Sequence, residues 1–179
     1  MIKELFLAGL FAFPNVAATP TILSLNNNTV KQLQLSDPEQ ELNCLALNMY
    51  HEARGEGTAG ILAVSYVVLN RVNDPRFPDT ICEVVNQGHH VKTKDGTSQP
   101  IRNKCQFSWY CDGKSDEPKN ERVYDRLVSF SRHILSNIIN TKQIDITDGA
   151  LFYHANYVSP SWSKTKQKTT EIGVHVFYR

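Results

Sequence analysis

The sequence lacks an excess of charge of either sign: 19 Lys and Arg face 18 Asp and Glu among 179 residues, a net charge of +1. No overall field therefore selects nucleic acid or an anionic bilayer as partner. No apolar run approaches the ~20 residues that a membrane-spanning helix requires. Glycine and proline, at 9 and 8 residues, are too few for a low-complexity or collagen-like chain. Cysteine is sparse. Its four residues form no C-x-x-C pair, and gaps of 38, 23 and 6 residues do not suit a zinc knuckle. With 41% apolar and 21% charged residues, the composition is that of one globular domain with a sizeable core.

What is present begins with residues 5–13 (LFLAGLFAF), nearly unbroken apolar character behind Lys3 and Glu4 and ahead of Pro14. Val16-Ala17-Ala18 supplies small residues at cleavage-site spacing. Residues 1–18 thus read as a signal peptide, against the rival of an N-terminal core helix, and the protein reads as exported. An even number of cysteines behind an export signal implies two structural disulfides among Cys44, Cys82, Cys105 and Cys111, with three connectivities open. Residues 19–35, polar and rich in asparagine, read as a leader or linker.

The domain is expected over residues 36–179. Ser36 can cap a helix with Glu39 at its third position and Pro38 in its first turn. Leu42, Leu45, Ala46, Met49 and Ala53 then recur on one helical face until Gly55 and Gly57. A second helix, Thr58 to about Val72, is apolar on nearly every side and reads as central and buried. A short helix through Val85 follows, with Asp79 as its cap. Residues 86–104 read as a long polar loop, and Val123, Leu127, Phe130, Ile134 and Ile138 mark an amphipathic helix. Two strand-like runs, residues 150–153 and 170–178, close the chain. The sum is a mostly helical α+β domain with a small hairpin or sheet.

His51-Glu52-Ala53-Arg54-Gly55-Glu56 is the densest polar cluster and sits where an apolar helix meets a glycine break. The zinc-peptidase pattern H-E-x-x-H fails, because Gly55 stands where the second histidine belongs. The plain reading of Glu52, Arg54 and Glu56 is a set of surface ion pairs worth ~0–1 kcal/mol each.

The string from Met49 to Val85 resembles the signature of the SleB/CwlJ-type cell-wall hydrolases, the spore cortex-lytic enzyme family. It holds an E-A-R-G-E box, a small-residue turn, an A-V-x-x-V-x-L-N-R-V helix and an F-P-x-T segment in order. Gln106-Phe107-Ser108 resembles the family's Q-F-S element. Residues 149–154, Pro160 with Trp162, and residues 172–178 resemble its C-terminal block. The resemblance covers about residues 42–179. It implies a lysozyme-like fold related to lytic transglycosylases and cleavage between N-acetylmuramic acid and N-acetylglucosamine, with Glu52 as the catalytic acid. It does not by itself imply spores. An exported enzyme of the periplasm, cell wall or cell exterior fits, as does a phage-encoded enzyme acting on the host wall.

The chemistry suits that assignment. Glycosidic cleavage needs a proton on the leaving oxygen, and a glutamic acid holds one near neutral pH only where an apolar setting lifts its pKa from about 4.3. A lytic transglycosylase needs no second carboxylate, since the ionised acid can take the proton of the muramic acid 6-hydroxyl and yield a 1,6-anhydro product. Candidates for substrate contact are Glu56, Arg54, Gln106, Phe107, Trp109, Tyr153, His154 and His175. A hydrolytic mechanism would need a second carboxylate, for which Glu56 is the nearest candidate in sequence, although a structural or cleft-lining role is preferred for it. The structural rivals are an ion pair for Arg54, core packing for Phe107 and Trp109, and satisfied strand histidines for His154 and His175. Asn70-Arg71 reads as locking the buried helix. No cofactor or metal is expected. The expected partner is a peptidoglycan glycan strand, with no nucleic acid, no membrane span once the signal is removed, and action as a monomer. Two rival classes remain. One is an amidase or peptidase using zinc on His51, His154 and His175, or a Cys44 thiolate. The other is a non-catalytic glycan-binding or virion structural module.

Overall fold

The computed structural model of the chain describes residues 22–23, 37–140 and 143–179. The signal-peptide reading of residues 1–18, the cap assigned to Ser36 and all of the leader except Ile22 and Leu23 lie outside the described residues.

Helix α1 (Pro38–Ala53) starts at Asp37, whose carboxylate accepts the N–H of Glu39 at 3.0 Å and of Gln40 at 3.4 Å. The cap is thus one residue later than the spacing to Glu39 suggests, and Pro38 occupies the first turn, where its missing N–H is harmless. The five apolar positions expected to face inward, Leu42, Leu45, Ala46, Met49 and Ala53, are all buried. Helix α2 (Thr58–Asn73) is buried almost continuously from Ala63 to Val72, as its all-round apolar character requires. Helix α3 (Ile81–Val85) is capped by Thr80, whose hydroxyl accepts the N–H of Glu83 at 3.2 Å; the expected cap, Asp79, stands one residue too early. Buried Glu41 on α1 adds a second cap, taking the N–H of Ile81 at 2.7 Å and of Cys82 at 3.2 Å. Helix α4 (Glu121–Asn140) packs against α1, burying Leu127, Ile134 and Ile138 and half-burying Val123 and Phe130.

Three small sheets accompany the helices. Strands β1 (Ile22–Leu23) and β4 (Gln143–Ile144) pair antiparallel, so the segment read as leader touches the domain here. Strands β2 (Gly88–Lys92) and β3 (Ser98–Cys105) form a hairpin where a loop was expected. Its tip is Asp95-Gly96: Gly96 takes φ +85, and the Asp95 carboxylate accepts the N–H of Thr97 at 3.0 Å. Both faces are largely exposed, so no apolar alternation marked the strands. Strands β5 (Phe152–Ala155), β6 (Lys168–Ile172) and β7 (His175–Tyr178) form an antiparallel sheet with β7 in the middle. Residues 170–178, expected as one strand, are in fact a hairpin that reverses at Gly173, φ +59.

Disulfides Cys44–Cys82 and Cys105–Cys111 resolve the open connectivity. The first ties α1 to α3, and the second ties the end of β3 to the 3-10 turn Ser108–Cys111. Among the described residues no helix is long and apolar enough to cross a membrane. The domain is α+β and mostly helical, as expected.

Candidate active site

The α1 helix brings Glu52 to its last turn, at the edge of a groove of about 440 Å³. The groove's walls are His51 and Glu52 from α1, Arg71 from α2, residues 106–109, Tyr153 to Ala155 of β5, Tyr157 and Val158 beyond it, and His175 of β7. Glu52 is the one carboxylate among these lining residues.

Burial and two neighbours, Tyr153 and Arg71, define the state of Glu52, which is half-buried. Burial pushes its carboxyl above the usual glutamate range, while the Tyr153 hydroxyl and the charge of Arg71 pull it partway back. Tyr153 donates to Oε2 at 2.8 Å. Burial, and then the proximity of Glu52, raise the phenol well above its ordinary value, so Tyr153 remains a hydrogen-bond donor near neutral pH.

Arg71 is buried, with its guanidinium carbon 5.2 Å from the ring centre of Phe77, 5.3 Å from Phe107 and 5.8 Å from Phe152. Its Nε donates to the Leu151 carbonyl at 2.8 Å. Neighbouring Asn70 donates to Asp145 Oδ2 at 2.8 Å and to the Ala150 carbonyl at 3.0 Å. Asp145 also accepts the N–H groups of Thr147 and Gly149, both at 2.8 Å. This buried network fixes the segment leading into β5, and with it Tyr153. Asn70 and Arg71 therefore do more than lock their own helix: they join α2 to the strand that carries the tyrosine.

On the opposite wall, His51 stacks on Trp109, ring centres 4.6 Å apart and 14° from parallel, and donates through Nε2 to the Asp116 carbonyl at 3.0 Å. The Trp109 indole donates to buried Asn48 at 3.1 Å. Phe107 and Trp109 are packed in the core, the rival to sugar contact, and also line the groove wall. Gln106 lies on the same wall with its side chain exposed. His154 donates through Nδ1 to the Ala155 carbonyl at 2.9 Å, and its Nε2 lies 2.9 Å from the Tyr178 hydroxyl.

Of the nine residues singled out in the sequence, seven meet in this groove: Glu52, Gln106, Phe107, Trp109, Tyr153, His154 and His175. Arg54 and Glu56 do not line it. Arg54 holds the carbonyl of Tyr50 at 3.0 Å and lines an adjoining groove of about 520 Å³, which shares His51 and Trp109 with the first. Glu56 turns toward His175 instead, with Oε1 2.9 Å from Nδ1. Sequence reasoning missed Arg71 and Tyr157 as site residues. The first was hidden by its place on a buried helix. Tyr157, 81% exposed at the groove's rim, is an aromatic just after the matched block, and that position was its only signal.

Cys44 is in a disulfide, which removes the thiolate alternative. Among the described residues no group of three or more His, Cys, Asp or Glu side chains is arranged to hold a metal ion.

The chain is 26% identical over 140 residues to the spore cortex-lytic enzyme of Halalkalibacterium halodurans, covering 78% of this chain and 34% of that protein. It is 27% identical over 138 residues to the spore cortex-lytic enzyme of Bacillus subtilis, covering 76% and 37%. The chain thus spans little more than a third of these relatives' own length. Among solved structures, the catalytic domain of the germination-specific lytic transglycosylase SleB from Bacillus anthracis matches with a TM-score of 0.53 and 24% identity, over 80% of this chain and 97% of that one. The catalytic domain of the Bacillus cereus SleB protein matches with a TM-score of 0.50 and 25% identity, over 78% and 91%. A family profile described as Cell Wall Hydrolase matches residues 55–178, beginning three residues after Glu52. With that match over most of its length, the chain belongs to the cell wall hydrolase family.

Proposed function

We propose that the protein cleaves peptidoglycan glycan strands between N-acetylmuramic acid and N-acetylglucosamine, as a lytic transglycosylase with Glu52 as its acid and base. The observation that carries this reading is that Glu52 is the one carboxylate lining the groove, and that burial raises its pKa.

Burial favours the protonated carboxyl, the form that can donate to the glycosidic oxygen. Proton transfer to that oxygen accompanies bond cleavage and leaves positive charge spread over the muramic ring. Glu52, now ionised, is stabilised by the Tyr153 hydroxyl and the charge of Arg71. It then withdraws the proton of the muramic 6-hydroxyl, whose oxygen closes on the anomeric carbon. The product is a 1,6-anhydro sugar, and Glu52 is protonated again. A two-carboxylate hydrolase requires a partner about 5–9.5 Å away across the sugar. Glu56, the other acid of the box, faces His175 outside this groove. Tyr157 offers an exposed ring on which a sugar can stack, Trp109 lines the wall with His51 stacked on it, and the exposed Gln106 amide suits an N-acetyl group.

Export fits the same reading. Two disulfides need an oxidising compartment, and the wall substrate lies beyond the cytoplasmic membrane. Digestion of purified sacculi followed by mass spectrometry tests the reaction. Products one water lighter than reducing muropeptides are expected, and Glu52→Gln should abolish them while sparing binding to the glycan. Reducing products overturn the transglycosylase mechanism, and full activity in Glu52→Gln overturns the assignment of the acid.

A further inference from the structure

The motif box holds two glutamates four residues apart, and the groove takes only the first. Glu56 stands in the elbow between α1 and α2, its side chain only 12% exposed. It fills a recess made by two glycines. A Cβ at Gly60 would meet Glu56 Oε2 at 2.5 Å, and one at Gly173 would meet the same atom at 2.0 Å. Gly173 is also in the left-handed region, φ +59, where a side chain is disfavoured. The N–H of Val174 donates to Oε2 at 3.3 Å.

On its other side, Glu56 meets His175, whose own side chain is 8% exposed. The His175 ring packs edge-on against Tyr153, centres 4.9 Å apart and planes at 77°. Tyr153 is the donor to Glu52. The contacts therefore close a loop: Glu52, the elbow, Glu56, His175, Tyr153 and back to Glu52. A carboxylate taken out of water is costly unless other groups compensate it. Here Oε2 accepts the N–H of Val174, Oε1 lies 2.9 Å from His175 Nδ1, and Glu56 is not among the residues that line the groove.

We propose that Glu56 is a positioning residue, which clasps the β6–β7 turn to the α1–α2 elbow and, through His175, holds Tyr153 within reach of Glu52. The inference rests on Glu52 being the proton donor. Charged and titratable groups reach the loop from each neighbouring element. His175 faces Glu56 from the elbow and both His154 and Tyr153 from β5; Glu52 faces Tyr153 from β5 and Arg71 from α2. Burial, with His154 adding to it, holds His175 below the usual imidazole range despite Glu56. Its contact with Tyr153 is one of packing, ring edge against ring.

The test is a double-mutant cycle in the full chain, with Glu56→Gln and Tyr153→Phe made singly and together and assayed on purified sacculi across pH. A positioning role predicts that Glu56→Gln lowers kcat by roughly tenfold to a hundredfold, the scale of a small misplacement, and leaves KM within about twofold. The fall in activity at high pH should move upward, as in Tyr153→Phe, and Glu56→Gln should add little once Tyr153 is gone. A raised KM with unchanged kcat would mean that Glu56 touches the sugar, and multiplicative effects would mean that it acts apart from Tyr153; either result overturns the clasp. If Glu56→Gln does not fold, ring NMR of the unaltered protein decides. The clasp requires that His175 keep its contact with Tyr153 and not titrate as a free imidazole between about pH 5 and 8, and free titration refutes it. An active Glu52→Gln sinks the functional reading, and the clasp with it. An inactive Glu52→Gln beside additive Glu56→Gln and Tyr153→Phe sinks the clasp alone.

Discussion

Tyr153 donates its phenolic hydrogen to Glu52 across 2.8 Å, joining strand β5 to the last turn of α1. This bond stabilises the ionised carboxylate, so it opposes the burial that favours the acid. An acid catalyst works only while protonated, so activity should decline as pH rises through the Glu52 pKa. Tyr153→Phe removes a contact that lowers that pKa. The decline should therefore move to higher pH, while kcat at neutral pH falls on the order of tenfold to a hundredfold through lost orientation. A pH–rate profile on labelled sacculi measures both, and an unmoved profile would separate Tyr153 from the acid.

Gln106 is an exposed amide on the groove wall, free to meet a substrate. Losing one hydrogen bond worth about 1 kcal/mol weakens binding by roughly fivefold. Gln106→Ala should raise KM by about that factor, with kcat and melting temperature little changed. Steady-state kinetics on soluble glycan fragments would reveal it.

Glu41 is buried on α1 and takes the first N–H groups of α3. Glu41→Ala leaves those donors without a partner, at a cost of about 1–3 kcal/mol. The urea midpoint should fall accordingly, with residual activity unaffected in the fraction that remains folded.

The Cys44–Cys82 bridge closes a loop with a sequence separation of 38. By the chain-entropy account such a loop stabilises the fold by about 4 kcal/mol. Reduction should lower the melting temperature sharply, whereas a thiol-blocking reagent applied to the native enzyme should leave lysis intact, since among the described residues there is no free cysteine. Calorimetry with and without reductant, alongside a turbidity assay, tests both halves.

The helices were legible because their apolar residues follow the helical period. Leu42 to Ala53 and Leu127 to Ile138 each present one stripe, and Ala63 to Val72 is apolar all round. The even cysteine count anticipated two bridges but not their pairing, which depends on how α1 and α3 meet. The β2–β3 hairpin escaped notice because it has no buried face, so its residues carry no alternation; Asp95-Gly96 was the available clue. The reversal at Gly173 hid within a run that alternates like a single strand. Within the site, Glu52, Phe107, Trp109 and Tyr153 could be named from the order of the motifs, whereas Tyr157 lies just past the matched block. The departure of Glu56 toward His175, and the arrival of Arg71 beside the acid, depend on helix direction beyond the glycine break, which spacing does not encode.

The middle position of β7 in its sheet has a consequence for how competence is acquired. Phe177 pairs with Tyr153 and His175 with Ala155, so β5 has its neighbour only when β7 is in place. A chain cut short before residue 175 keeps every helix and both bridges, yet leaves the tyrosine on an unsupported edge. Such a fragment should look folded by circular dichroism and be inert toward walls, because Tyr153 then lacks the strand that pairs with its own.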